Sequence, residues 1–156
     1  MIWLLAFAAA SAPSDEFSLR SLQEMGECIV EQTPWNAREV LAMDYRSPEY
    51  AEKLKGIGKG VAGRCMRHAS KFSSSGVLFA GSLAEALLKD EVKRKDLPQR
   101  IAYDPARPLI EARSPGEEMA LCTALKAPQE TAGLLQTQPA TPQESQAIQL
   151  LGPVLG

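Results

Sequence analysis

Apolar residues recur at three- and four-residue steps along most of the chain, which is the spacing of one helix face. The clearest example is the segment 17–32, where polar and charged residues separate the apolar ones. Its apolar positions are Leu19, Leu22, Met25, Cys28 and Ile29. The pattern predicts an amphipathic helix that buries this face.

Prolines mark the predicted starts of the following helices. Thr33 precedes Pro34, Ser47 precedes Pro48 and Thr141 precedes Pro142. A hydroxyl residue suits an N-cap, and proline is tolerated in the first turn because its missing N–H has no helical partner there. Glu144, three residues after Thr141, completes the spacing of a capping box. Each pair therefore predicts a helix start.

The middle of the chain predicts one further helix and a connector. Residues 73–95 contain an apolar stripe and are rich in lysine toward the end, which indicates an amphipathic helix. Residues 96–115 contain four prolines and are predicted to be irregular. Gly152 followed by Pro153 is typical of a helix end, and Gly58 occupies the matching position in the first half.

Two stretches of the sequence resemble each other. Residues 22–62 align without a gap on residues 116–156 at a constant offset of 94 positions, with seven identical pairs. The identical pairs are Glu24/Glu118, Met25/Met119, Cys28/Cys122, Pro34/Pro128, Leu41/Leu135, Pro48/Pro142 and Gly58/Gly152. We therefore predict a duplicated helical unit, with unit 1 at 17–65 and unit 2 at 116–156. The predicted fold class is all-α.

The repeat also predicts that unit 2 is truncated. Cys65 lies seven residues after Gly58, and its equivalent would be position 159, beyond Gly156. On this interpretation the chain is a fragment, and Cys122 lacks its partner.

Residues 1–12 are apolar and end in small residues, which is typical of a secretory signal peptide. No basic residue precedes the apolar stretch, so an N-terminal core helix is the alternative. The stretch is too short to span a bilayer. We expect a periplasmic or secreted protein that is not an integral membrane protein.

Export makes cysteine pairing the default, because an oxidising compartment preserves disulfides. Three cysteines allow one pair and one free thiol. Cys28 with Cys65 is the natural bridge within unit 1, which leaves Cys122 as the candidate free thiol. A bridge between Cys28 and Cys122 is the rival pairing.

The net charge is only −2, but residues 51–100 contain eleven basic and five acidic groups. A basic cluster of this kind is a candidate site for an anionic macromolecule, such as lipopolysaccharide or an acidic protein. The alternative is a solvated helix surface, and the absence of interleaved aromatic residues argues against specific nucleic-acid binding. The candidate anion-binding residues are Lys53, Lys55, Lys59, Arg64, Arg67 and Lys71.

His68 is the only histidine, and it follows Cys65 by three residues. A reactive pair of His68 with Cys65 or Cys122 would suit a small periplasmic enzyme or a metal carrier. A zinc site from the three cysteines and His68 has suitable ligand types but lacks close ligand spacing. We expect neither a metal nor a cofactor, and we assign no catalytic residue.

Several local motifs are similar to those of a group of exported helical proteins from sphingomonad-type alphaproteobacteria. The motifs are residues 25–30, Pro34, Leu41, residues 47–49, Cys65 and residues 79–87. This resemblance implies an all-helical, disulfide-linked periplasmic protein, and it carries no functional residue. The sequence favours a non-enzymatic binding or structural module, with the enzyme or metal carrier as the alternative.

Overall fold

The computed structural model describes residues 13–65, 75–93, 95–108 and 110–155. Within these residues the protein is all-helical, as the sequence predicts, and contains eight α-helices. They are α1 Pro13–Gln32, α2 Pro34–Ala42, α3 Pro48–Cys65, α4 Gly76–Val92, α5 Leu97–Ile101, α6 Pro115–Lys126, α7 Pro128–Leu135 and α8 Pro142–Leu155. The segment 1–12 lies outside the described residues.

The predicted helix starts at Pro34, Pro48 and Pro142 are all confirmed. At α8 the N–H of Glu144 donates to the Thr141 hydroxyl at 3.2 Å, and the Glu144 carboxylate accepts from the N–H of Ala140 at 2.7 Å. Ser47 caps α3 through the N–H of Tyr50. Thr33 makes no such cap, because its hydroxyl donates to the carbonyl oxygen of Ile29 instead.

Helices α1 to α4 enclose the main hydrophobic core. Helix α4 packs along α1 and also contacts α2 and α3, so it covers the apolar faces of all three. Ile29, Val40 and Leu83 are completely buried there, and they come from α1, α2 and α4. Burying apolar surface of this kind is the main favourable term in folding.

Helices α5 to α8 form a second group with a smaller buried set. Helix α7 contacts α5, α6 and α8, and it also touches α4. The buried residues are Leu97, Thr123, Ala127, Ala132 and Leu151. Most of these side chains are small, so this group buries less apolar surface than the first.

Three sequence expectations differ from the structure. The short helix α5 lies inside the segment predicted to be irregular. Its first residue, Leu97, is buried, so packing holds this helix in place. Helix α3 continues through Gly58 to Cys65, and α8 continues through Pro153 to Leu155, so neither glycine ends its helix. Proline removes one backbone hydrogen bond from a helix, and in α8 that loss falls in the last turn.

Met119 is exposed, although it aligns with the buried Met25 in the two similar stretches. Met25 is 6% exposed and Met119 is 55% exposed. Helix α1 is covered by α4, whereas α6 packs on α7 and α8. The same residue type therefore has different surroundings in the two stretches.

Candidate functional site

An apolar groove of about 1070 Å³ lies between the first helix group and the start of α6. Its wall is formed by residues of α1, α3 and α4, by the turn between α2 and α3, and by residues 113–120. Small-molecule sites in proteins commonly have volumes of about 300–1,000 Å³ and mostly apolar linings. The groove is therefore large enough for a small organic ligand.

The floor of the groove belongs to the main core. Leu54 of α3 is 5% exposed and Phe79 of α4 is 8% exposed, and Met25 of α1 lies beside them. Gly58 adds no side chain, and a Cβ atom at this position would lie 3.7 Å from the Phe79 ring. Because the floor is held by core packing, the apolar surface is present without a ligand.

One rim of the groove carries two lysines. Lys55 and Lys59 are one helical turn apart on α3, so they lie on the same face of the helix. Both side chains are exposed, and neither has an ion-pair partner among the residues that the structure describes. This rim therefore has an excess of positive charge.

Another part of the groove wall is built around Arg113, which links the start of α6 to the end of α2. Its guanidinium donates to the carbonyl oxygen of Met43 at 3.1 Å and lies 5.3 Å from the centroid of the Tyr45 ring. It also forms an ion pair with Glu117 at 3.5 Å. Arg113 is therefore held in place and largely neutralised.

Tyr50 contributes a polar group to the mostly apolar wall. Burial raises the pKa of its hydroxyl above the ordinary value of 10.0, and the nearby charge of Arg113 opposes this shift. The hydroxyl therefore stays neutral at physiological pH. It can act as a hydrogen-bond donor or acceptor.

Of the candidate anion-binding residues that the structure describes, two line the groove and two do not. Lys55 and Lys59 line the groove, but Lys53 forms an ion pair with Glu39 outside it. Arg64 is exposed near the end of α3 and does not line the groove. Arg67 and Lys71 lie outside the described residues.

Sequence reasoning missed Tyr45, Tyr50 and Arg113 as groove residues. Arg113 lies in the segment predicted to be an irregular connector, where no periodic pattern indicates its surroundings. The two tyrosines lie in and just after the turn between α2 and α3. Only the approach of residues 113–120 to the first helix group makes these side chains part of one site.

The predicted bridge between Cys28 and Cys65 is confirmed. The sulfur atoms are 2.06 Å apart and the Cα atoms are 5.7 Å apart. The side-chain amide of Gln32 donates to each sulfur at 3.3 Å. Cys122 is a half-buried free thiol, so the rival pairing of Cys28 with Cys122 is wrong.

The disulfide also bears on the enzyme or metal-carrier hypothesis. In a disulfide, Cys65 has no thiolate, which is the form that acts as a nucleophile or zinc ligand. His68 lies outside the described residues. Within the part of the chain that the structure describes, no group of three or more His, Cys, Asp or Glu residues is arranged to bind a metal.

A second, more polar cavity of about 740 Å³ lies between α4 and the helices α7 and α8. Glu85 and Glu144 line it, together with Glu27, Lys89 and Lys93. Partial burial raises the pKa of Glu85 above its ordinary value of 4.5, and the charge of Glu144 adds to this shift. Lys89 forms an ion pair with Glu27 at 2.9 Å.

Comparison with protein-family models, curated proteins and solved structures finds no match for this chain. The resemblance to exported helical proteins of sphingomonads stays a prediction.

No helix in the described ranges is both long and apolar enough to cross a lipid bilayer.

Proposed function

We propose that this protein is a non-enzymatic binding module that takes up an apolar ligand in the groove beside α3. The proposal rests on an apolar groove that is backed by core packing and is lined by two lysines without an ion-pair partner among the described residues. Burial of apolar ligand surface would supply the main free energy of binding. This proposal narrows the interaction surface expected from the sequence, a broad basic cluster, to the two lysines that line the groove.

We further propose that the protein works outside the cytoplasm, in the periplasm or as a secreted protein. The bridge between Cys28 and Cys65 supports this location, because disulfides persist in oxidising compartments and are rare in the cytosol. The apolar composition of residues 1–12 supports an export signal.

A duplication of one helical unit would explain how the groove arose between two helix groups. Helix boundaries support it, because they recur at the offset found in the sequence. Helices α1 and α6 end at Gln32 and Lys126, α2 and α7 begin at Pro34 and Pro128, and α3 and α8 begin at Pro48 and Pro142. Stacked helical units commonly form binding surfaces along their junctions.

Binding of the neutral fluorescent dye Nile red tests the proposed function. Ala51 is exposed on α3 and lines the groove, so Ala51→Trp places a large side chain inside it. Ala106 is exposed and lies outside the groove, so Ala106→Trp is the matched control. We expect the dye to fluoresce with the unmodified protein and with Ala106→Trp, and its affinity to fall about tenfold with Ala51→Trp, which corresponds to about 1.4 kcal/mol.

Circular dichroism checks that both variants keep their helices. If Nile red fails to bind the unmodified protein, or binds Ala51→Trp as tightly as Ala106→Trp, the groove is not the binding site.

A further inference from the structure

We infer that the ligand of the groove is a free single-chain amphiphile with an anionic head group, such as a long-chain carboxylate. The apolar chain lies along the apolar wall of the groove, and the head group binds Lys55 and Lys59. This inference rests on the proposed function, and it adds the chemical class of the ligand.

The charges around the groove decide the sign of the head group. Among the residues that the structure describes, the charged ones that line it are Lys55, Lys59, Arg113 and Glu117. Arg113 and Glu117 form an ion pair with each other, so their charges largely cancel. The two lysines remain without an ion-pair partner in the described ranges, so the rim favours an anion.

The positions of the lysines suit an amphiphile better than a fully buried anion. Lys55 and Lys59 are exposed, and both line the groove together with Leu54 and Gly58. Lysine side chains lay their apolar stems along apolar surface and keep the ammonium group in water. Here the stems would extend the apolar wall, and the ammonium groups would meet the head group where the groove opens to solvent.

An exposed head group also avoids a large desolvation penalty. Burying an isolated carboxylate is costly unless it is paired, whereas a head group at the rim stays partly hydrated. The apolar chain then supplies most of the affinity and the lysines supply the preference for negative charge. The two contributions can be measured separately.

Competition against bound Nile red separates the contribution of the apolar chain from that of the lysines. Dodecanoate and dodecanol have the same chain, and only dodecanoate is charged at neutral pH. For the unmodified protein we expect dodecanoate to displace the dye at about tenfold lower concentration than dodecanol, which corresponds to about 1.4 kcal/mol. This preference should weaken in about 1 M salt, because salt screens exposed charges.

The double variant Lys55→Gln/Lys59→Gln should lose the preference for dodecanoate over dodecanol, measured as the ratio of the concentrations at which the two displace the dye from that variant. Lys53→Gln is the matched control, since Lys53 lies on the same helix but pairs with Glu39 outside the groove. We expect Lys53→Gln to behave as the unmodified protein. If the double variant still prefers dodecanoate, the lysines do not bind the head group and the inference is wrong.

The outcomes also separate this inference from the proposed function. If Nile red binds and dodecanoate competes no better than dodecanol, the head-group assignment fails and the apolar groove stands. If Nile red does not bind at all, both fail.

An anionic head group could also belong to a lipid in a membrane. Flotation with vesicles of phosphatidylcholine and phosphatidylglycerol tests that source. We expect the protein to stay in the aqueous fraction. Flotation that persists when dodecanoate saturates the groove would overturn the assignment to a free ligand.

Discussion

Gly26 of α1 lies directly against the backbone of Ser82 in α4. A Cβ atom at Gly26 would lie 2.7 Å from the Ser82 carbonyl oxygen, and 2.8 Å from its carbonyl carbon and from its hydroxyl oxygen. Ser82 is buried, and its hydroxyl donates to the carbonyl oxygen of Phe79 at 2.8 Å. The close approach of the two helices therefore depends on the missing side chain, and it positions the turn that carries Phe79 into the groove.

Gly26→Ala should destabilise the protein by about 1–3 kcal/mol, the usual cost of adding volume to a packed interior. The nearest atoms are backbone atoms of α4, so the helix itself would have to move. Gly56→Ala is the control, because a Cβ atom there meets nothing within 4 Å. The free energy of unfolding of Gly56→Ala should rise by about 0.5–1 kcal/mol, because alanine has a higher helix propensity than glycine. Urea unfolding measures both changes, and a stabilising Gly26→Ala would contradict the tight contact.

Removal of the disulfide should lower the free energy of unfolding by about 4 kcal/mol on the loop-entropy account. The bridge spans a sequence separation of 37 residues and ties the end of α3 to α1. We expect this loss for Cys28→Ser/Cys65→Ser in chemical unfolding. Cys122→Ser removes a free thiol and should change stability by less than about 1 kcal/mol. A loss in Cys28→Ser/Cys65→Ser as small as that expected for Cys122→Ser would mean that the bridge contributes little.

Glu85→Gln should stabilise the protein at neutral pH. The folded state raises the pKa of Glu85, chiefly through burial, so ionised Glu85 costs more in the folded than in the unfolded protein. That cost is absent below the ordinary value of 4.5 and is complete above the raised folded pKa. The advantage of the variant over the unmodified protein should therefore disappear as the pH falls below 4.5. An advantage that persists in acid would have a cause other than the charge of Glu85.

Ala140→Gly should stabilise the turn before α8. Ala140 has a φ of 57°, which lies in the left-handed region. A non-glycine residue in this region destabilises the folded state by about 1–2 kcal/mol, and glycine removes this strain. Glycine also makes the unfolded chain more flexible, which offsets roughly 0.5–1 kcal/mol of the stabilisation. We therefore expect Ala140→Gly to raise the free energy of unfolding by about 0.5–1 kcal/mol, measured by thermal or urea unfolding.

Ala102→Gly is the control for that substitution. Ala102 has a φ of −57°, which any residue adopts, so glycine there should only destabilise. If both variants lower stability, the left-handed turn at Ala140 carries no strain.

Local chemistry was predictable from the sequence in several places. Pro34, Pro48 and Pro142 begin helices because the fixed φ of proline and its missing N–H both suit a first helical turn. The cap formed by Thr141 and Glu144 depends only on residues within one turn. Each of these features is decided by neighbours along the chain.

The candidate site was only partly predictable. Lys55 and Lys59 belong to the basic cluster that the sequence identifies, but nothing in their spacing separates them from Lys53, which is paired with Glu39. Arg113 lies far from them in the sequence and meets Tyr45 only in the folded chain. No local sequence pattern predicts that Arg113 will contact Tyr45.

The amino-acid sequence by itself determined the helical class and the helix starts, because periodicity and proline act over short range. It left two possible partners for Cys28, and only the folded chain brings Cys65 to it. Tertiary structure alone decided which apolar faces are covered. Met25 is buried by α4 and Met119 is exposed, although the two occupy matching positions in the sequence. The physical reason is that burial depends on which helix packs against a face. Helix periodicity shows which face is apolar, but it does not show which helix covers that face.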